Sequence, residues 1–512
     1  MIIGIDLGTT FSVGAWIDEN GNPHVANSRE GGNTTPSVVM FDDGEIIIGK
    51  QAKNNAELDP VNVVQFVKRF MGNKEYSFLT EDDKEYSAEE ISAMILRRVK
   101  EDCETCIGET ITDAVITVPA YFSDAQRQAT MDAGRIAGLN VRAIINEPTA
   151  AALAYGSNNT GTQQRVMVYD LGGGTFDVTI IEIKPDRTIQ VLATHGNKNL
   201  GGADFDNALI SYVRAQFEAE TGVDLEEDDE AMQVLRARCE QAKLALSGSE
   251  RTSVAMSAQR KKAKIEITRA QFENLIRPLI EETETSIDIA LDDSGLSPRD
   301  LDKVLLVGGS SRIPAVRAFV QNKLNITPSA ELNPDEVVAI GAAYYGHSMV
   351  SPLPMPIPKG NDESTSVEPV PQQIIQDVNS HGLGVVANDE DGNPMNVIII
   401  PRNQPIPTVS RQTFYTTCDN QEVIALKVTE GDDEDLSYVT VIGTAEIHLQ
   451  PHPEGSPVTI ELSYDTNGII TGKVFDDIIH DYVGDIIINR SANMSQQEVE
   501  ESAQRMENEN FA

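Results

Sequence analysis

The sequence predicts an α/β domain followed by an antiparallel β-sandwich. Over residues 1–350, β-type apolar runs alternate with helical patterns, as sheets covered by helices require. Over 378–490, short β-branched runs are split by turns, among them VIIIPRN, VSRQTFYTT, EVIALKVTEG, VTVIGTAEIHL, VTIELSYDTNG and IITGKVFDD. Between them, 351–377 is rich in Pro, acidic and small polar residues and predicts an extended linker. Residues 491–512 form a tail whose Ser495 and Glu498 give a helix-start signature.

Within the first half, VNVVQFVKRFMG (61–72) and SAEEISAMILRRVK (87–100) predict helices, DAVITVPA (113–120) a strand, and 123–139 a helix with Ser123 as N-cap. Two longer helical patterns follow, EAMQVLRARCEQAKLALS and the run beginning QFENLIRPLI. KVLLVGGSSRIP (303–314) predicts a buried strand, a Gly-rich turn and a helix.

One phrase occurs twice, IIGIDLGTTFS at 2–12 and VMVYDLGGGTFD at 166–177. Each is an apolar run, an Asp, a Gly-rich turn with hydroxyls and a second β-type run. Glycine lets backbone N–H groups approach an anion, so each turn suits phosphate. The Asp repels phosphate, which implies a divalent cation between them, with Asp6 and Asp170 as its partners. Two such hairpins face to face make a clamp for a polyphosphate. A third turn, Gly308–Ser311, offers bare backbone on which an adenosine can lie flat. Phosphoryl chemistry also needs a positive charge and a group that orients water. Lys68 and Glu147 are candidates, although locally Lys68 reads as a snorkelling surface lysine and Glu147 as a carboxylate at a helix N-terminus.

Composition narrows the function classes. The 512 residues, 40% hydrophobic, predict two or three domains. Forty basic against eighty acidic residues leave a net charge of −40, which argues against nucleic acid as a partner. The start MIIGIDLG has no basic region and predicts no signal peptide, and no apolar run reaches membrane-spanning length. Four cysteines suit a reducing cytoplasm, and Cys103 and Cys106 fall in a helical pattern without a second pair to complete a metal site.

GIDLGTTFS, ITVPAYFSDAQRQAT, INEPTAAALAYG, YDLGGGTFDVTI, LGGADFDNALI, VLLVGGSSRIP and NPDEVVAIGAA occur in an order that resembles the 70-kDa heat-shock chaperones of the DnaK type. They cover residues 1 to about 350, and DNQEVIALKVTEG and ELSYDTNGII extend the resemblance into the β-rich half. The short tail looks most like the HscC-like branch. The resemblance implies a two-lobed ATPase domain of the actin and sugar-kinase type followed by a β-sandwich that binds peptides. It implies ATP and ADP with Mg²⁺, and K⁺ beside it, as cofactors. It also implies extended hydrophobic peptides of unfolded proteins and a J-domain cochaperone as partners, and slow, partner-stimulated hydrolysis that controls the peptide groove.

Carried over motif by motif, Asp6, Gly8, Thr9 and Thr10 meet phosphate and the metal shell. Lys68, Glu147, Asp170 and Thr175 surround the attacking water and γ-phosphate. Gly172, Gly173, Gly174, Gly201 and Gly202 complete the phosphate side. Glu240, Lys243, Ser247, Gly308, Gly309, Ser310, Arg312 and Asp335 form the adenosine pocket. Pro119, Arg127, Ile374, Ile375 and Asp377 couple the domains. Leu383, Val385, Phe414, Ile424 and Leu426 line the peptide groove, against the plain alternative that they are sandwich core.

The chain departs from the family in five places. Residues 495–512 stand where the family has a helical lid, which predicts fast peptide exchange. The linker's aliphatic run is reduced to Ile374, Ile375 and Val378. Ala143 occupies a position where the family offers an Arg to its J-domain partner, with Arg142 adjacent, and the short segment after Lys68 alters the expected surface for an exchange factor. Leu244, after Lys243, gives no guanidinium to stack on adenine. Two rival readings use the same scaffold, a nucleotide-gated module with few partners and a small-molecule kinase.

Overall fold

Two open sheets share one wiring, and this duplication places the repeated phrase. In a computed structural model of the chain, residues 1–350 and 375–512 are described, apart from 57, 159–161, 187, 330, 390, 487 and 489–492. The first sheet runs in the order Asn140–Asn146, Asp113–Val118, Ile2–Leu7, Phe11–Ile17, Pro23–Val25. The second runs Lys303–Val307, Gln164–Leu171, Phe176–Ile183, Ile189–Asn197, Ile375–Gln376. In each, an antiparallel hairpin receives a parallel strand on its first member's outer edge. Leu7 pairs with Ser12 in one hairpin and Leu171 with Phe176 in the other, so Asp6 and Asp170 both sit one residue before a Gly-rich turn.

Helices Glu147–Asn158 and Val337–Val350 pack between the sheets. Their approach needs small residues: a Cβ on Gly341 would lie 1.8 Å from the Ala150 carbonyl oxygen. Apolar side chains form one core under each sheet and a third inside the sandwich. The helix Asp124–Ile136 starts as expected, with Ser123 Oγ accepting from Gln126 N at 3.4 Å.

Residues 61–72 differ from the expected helix. They form the strand Val63–Gln65 and a single 3₁₀ turn, Val67–Phe70. Phe66 breaks the run with φ 60°, and β-branched Val61, Val63 and Val64 favour extension. The change matters because it carries Lys68 inward, to 4% exposure, instead of leaving it on a helix surface. Cys103 is buried and Cys106 exposed on the helix Ala88–Ile107, and both are free.

The sandwich stacks two four-stranded antiparallel sheets. One is ordered Pro394–Ile400, Leu383–Asn388, Gln421–Glu430, Thr440–His452, the other Thr408–Tyr415, Pro457–Tyr464, Ile470–Asp476, Asp481–Ile486. The expected linker falls mostly outside the described residues, and Ile374 with it. Ile375 and Gln376 extend the second sheet of the two-lobed half as an edge strand beside Ile189 and Gln190.

The tail helix Gln496–Asn508 is capped by Ser495, whose Oγ accepts from Glu498 N at 3.2 Å. It lies against the first lobe, with Val499 and Met506 inside that lobe's core, and Asn510–Phe511 then pairs in parallel with Glu45–Ile46.

Candidate functional site: a nucleotide cleft and its route to the sandwich

The two hairpin turns face each other across a cavity of about 390 Å³ between the lobes. A Cβ on Gly173 would lie 2.4 Å from Thr10 Cγ2, so the turns meet without room for side chains. Asp6, Gly8, Thr9, Thr10, Lys68, Glu147, Asp170, Gly172, Gly173, Thr175 and Gly202 line the end where the turns meet, expected to hold phosphate. Glu240, Lys243, Ser247, Gly308, Gly309, Ser310, Arg312 and Asp335 line the other end, with Leu244 beside them. Gly174 and Gly201 stand behind the lining, a Cβ on Gly201 falling 2.5 Å from Gly174 N.

Each wall is held by a specific bond. Ser310 Oγ donates to the Gly172 carbonyl at 2.8 Å and fastens the third turn to the second. Lys243 Nζ donates to the Gly202 carbonyl at 3.0 Å and to Asp206 Oδ2 at 2.6 Å. Arg312 pairs with Asp335 at 2.6 Å. Lys53 of the first lobe pairs with Glu240 of the second at 2.6 Å, closing the cleft's mouth.

The chemistry sits at the floor. Lys68 Nζ donates to Glu147 Oε1 at 2.6 Å, with both residues buried. Asp6 accepts from Thr117 Oγ1 at 3.2 Å. Burial, then the charge of Glu147, pushes the Asp6 carboxyl up to about 7 against the pull of Lys68, and the same two causes raise Asp170 well above the usual range. Asp177, absent from the sequence expectations, accepts from the N–H groups of Ala120 and Tyr121 at 3.0 and 3.3 Å. Burial and Glu147 push it up to about 7. Four carboxylates thus gather around one ammonium, a surplus of buried negative charge that fits a divalent cation. No three His, Cys, Asp or Glu residues converge as direct ligands among the described residues.

A route leaves the floor toward the sandwich. Glu147 follows Asn146, whose Oδ1 accepts from Arg127 Nη2 at 2.8 Å. Arg127 is buried and also donates to the carbonyls of Ala120, Phe122 and Asn467, at 3.0, 3.2 and 3.5 Å. Asn467 belongs to the sandwich, and its Oδ1 accepts from Ile144 N at 3.1 Å. Pro119 precedes the Ala120–Tyr121 turn, and its carbonyl accepts from Phe122 N at 3.2 Å. Asp377, just after the edge strand, accepts from Thr149 Oγ1 at 2.9 Å, and its burial raises its carboxyl. Arg127 and Asp377 therefore meet the start of the helix Glu147–Asn158 through Asn146 and Thr149, while Pro119 opens the turn that Arg127 reaches and Ile375 pairs with Ile189.

The five residues expected in the peptide groove divide. Leu383, Val385 and Leu426 are buried in the sandwich core, while Phe414 and Ile424 only pack against it and keep open surface.

Asp177, Lys53 and Arg69, which contacts the second turn, were missed. Asp177 lay inside the repeated phrase and was legible there, since the first hairpin has an apolar Val13 opposite Asp6 where the second sets Asp177 opposite Asp170. Lys53 and Arg69 act across lobes, and no local pattern marks such a contact.

The model of the Hsp70 protein family matches residues 2–82 and 73–512. The chain is 42% identical over 479 residues to the chaperone protein DnaK of Thermotoga neapolitana, covering 92% of this chain and 77% of that protein. The DnaK proteins of Thermotoga petrophila and Thermotoga maritima match at the same identity and coverage. With the family matched along both the two-lobed half and the sandwich, the chain belongs to the Hsp70 family.

Proposed function

We propose that the chain is an ATP-hydrolysing chaperone in which the nucleotide cleft governs a peptide-binding sandwich. The observation that carries this reading is the unbroken chain of contacts Glu147–Asn146–Arg127–Asn467, which joins the floor of the cleft to the sandwich. Gly8–Thr10, Gly172–Gly173 and Gly202 grip the phosphates through backbone N–H groups, and Thr175 and Glu147 orient the attacking water. Lys68 stabilises charge on the transferred phosphoryl group. Asp6 and Asp170 would hold Mg²⁺ through water, an ion that would supply charge neutralisation at the phosphate oxygens, with K⁺ as an accessory ion. Glu240, Lys243, Ser247, Gly308–Ser310, Arg312 and Asp335 hold adenosine.

Extended hydrophobic peptides of unfolded proteins dock at Phe414 and Ile424, their backbones pairing with the strand rims. A J-domain partner stimulates hydrolysis, and the setting is cytoplasmic. No helix among the described residues is long and apolar enough to cross a membrane. The nucleotide shifts the groove only by its differential affinity for the two states.

The test is single-turnover ATP hydrolysis at saturating Mg²⁺, with and without an extended leucine-rich peptide, for the native chain and the Thr175→Ala and Ile375→Asp variants. The reading expects peptide to stimulate the native chain, Ile375→Asp to lose the stimulation and Thr175→Ala to lose hydrolysis. Hydrolysis indifferent to peptide would remove the coupling from this proposal.

A further inference from the structure

Arg69, named so far only as a contact of the second turn, does not line the cleft. It follows Lys68 in the turn Val67–Phe70 and reaches from the first lobe into the second. Its Nε and Nη2 both donate to the Gly174 carbonyl, at 3.2 and 3.0 Å. Nη2 also donates to Asp204 Oδ2 at 2.6 Å, and that same oxygen accepts from Gly201 N at 2.8 Å. One guanidinium therefore fastens, from behind, both glycine turns that close on the phosphate end.

The ion pair alone explains little. Its side chains keep 21% and 22% exposure, where solvent screens much of the attraction. Its geometry does more. The Gly174 carbonyl shares a peptide with the Thr175 N–H, and in a trans peptide the two point to opposite sides. Anchoring the carbonyl on Arg69 therefore turns the Thr175 N–H away from Arg69, and Thr175 lines the cleft. The turn has no slack, since a Cβ on Gly174 would lie 2.6 Å from Thr9 Cγ2 and 2.9 Å from Arg69 Nε. A planar fork suits two bonds to one carbonyl, whereas an ammonium supplies a point charge.

We propose that Arg69 is a positioning residue for ATP hydrolysis, holding from outside the cleft the peptide that presents Thr175 and the turn that carries Gly202. The inference rests on the reading of this cleft as an ATP site.

The experiment uses the full chain as native protein, Arg69→Ala and Arg69→Lys, and measures single-turnover hydrolysis beside the dissociation constant for Mg·ADP. Misplacing a reacting geometry costs rate, so Arg69→Ala should hydrolyse about ten- to a hundredfold more slowly. Affinity should change less than about threefold, because the lost group touches no ligand. Arg69→Lys keeps a charge for Asp204 without the fork and should fall between the two. Guanidinium ion, added far below unfolding concentrations, should restore part of the Arg69→Ala rate, which a loss of folding would not allow. An alanine variant within about twofold of the native rate overturns the proposal. So does a parallel loss of rate and affinity that guanidinium leaves untouched. A native chain that binds no Mg·ADP would instead sink the reading of the cleft, and this inference with it.

Discussion

Replacing Met506 by Ala tests whether the tail is a working part of the first lobe. Met506 is 3% exposed and lies in the lobe's core beside Val499, although 409 positions separate it from Arg97 of the helix Ala88–Ile107, whose Nη1 donates to the Met506 carbonyl. Truncating a buried methionine costs about 2–5 kcal/mol, part transfer and part cavity. The tail is a short terminal element, so the loss should show first as local opening rather than global unfolding. At about 1.4 kcal/mol per factor of ten, exchange of the amides of 495–511 should speed up about thirtyfold to several thousandfold. Ile46, whose carbonyl accepts from Ala512 N at 3.1 Å, reports on the same event from the partner strand. Hydrogen exchange read by mass spectrometry measures both segments, with exposed Glu507→Ala as control. If 495–511 exchanges in Met506→Ala within about threefold of the native chain, the packing argument is wrong.

Three further outcomes follow from the same geometry. Lys68→Met should lower single-turnover hydrolysis by at least about a hundredfold and destabilise the fold by about 3–5 kcal/mol, because Glu147 is left buried without its partner. Adding Glu147→Gln should recover stability in a thermal melt but not activity. Asp377→Ala, which removes the acceptor of Thr149 Oγ1, should abolish peptide stimulation while basal hydrolysis persists, as read in the hydrolysis assay. For pH, the folded Asp177 carboxyl sits at about 7 against an ordinary value of 3.8, so the folded state holds the extra proton in that window. Its contribution to stability is full below the ordinary value and is lost as pH rises through about 7. The stability of ligand-free Asp177→Asn relative to the native chain, read from thermal melts, should therefore climb between the ordinary value of 3.8 and about pH 7, by at most about 1.4 kcal/mol per unit, and a falling difference refutes the assignment.

What was legible in the sequence was whatever a short stretch encodes by itself. The phrase with Asp6 and its repeat with Asp170 specify hairpins, because turn glycines and flanking β-branched runs act within a dozen residues. Ser123 and Ser495 announced their helices for the same reason, their hydroxyls accepting bonds three residues on. The segment 61–72 misled because its apolar spacing suits a helix while Phe66 sits at φ 60°, a choice set by the packing of Lys68 against Glu147 and Phe122. Propensity lost to a tertiary contact. The groove residues show the complementary failure. Leu383 and Leu426 alternate as any half-buried strand does, and period two alone does not separate a core from a peptide pocket.

The contacts that join the halves were illegible for a different reason, and their two kinds have different consequences. The sandwich meets the ATPase half through hydrogen bonds and an ion pair: Asn467 with Ile144 N, Asp124 with Ile470 N at 2.8 Å, Asn403 with Thr194 N at 3.0 Å, and Arg402 with Asp293 at 3.0 Å. Each such group trades water for protein at a net worth of about 0.5–1.5 kcal/mol, so the four together are worth about 2–6 kcal/mol. The tail instead places Val499 and Met506 in an apolar core and sets Arg505 on buried Glu90, which also accepts from Ser502 Oγ at 2.6 Å. Burying one such apolar side chain is worth about 1.5–3 kcal/mol, and withdrawing Arg505 and Ser502 strips two partners from a buried carboxylate. The face toward the sandwich is thus mainly polar, with Tyr121 against His381, and the tail anchor mainly apolar. The same polarity difference explains why no motif announced either contact: hydrogen bonds to backbone N–H groups need no particular partner sequence, and two apolar residues on a short amphipathic helix look like any other surface helix until the surface that takes them is folded.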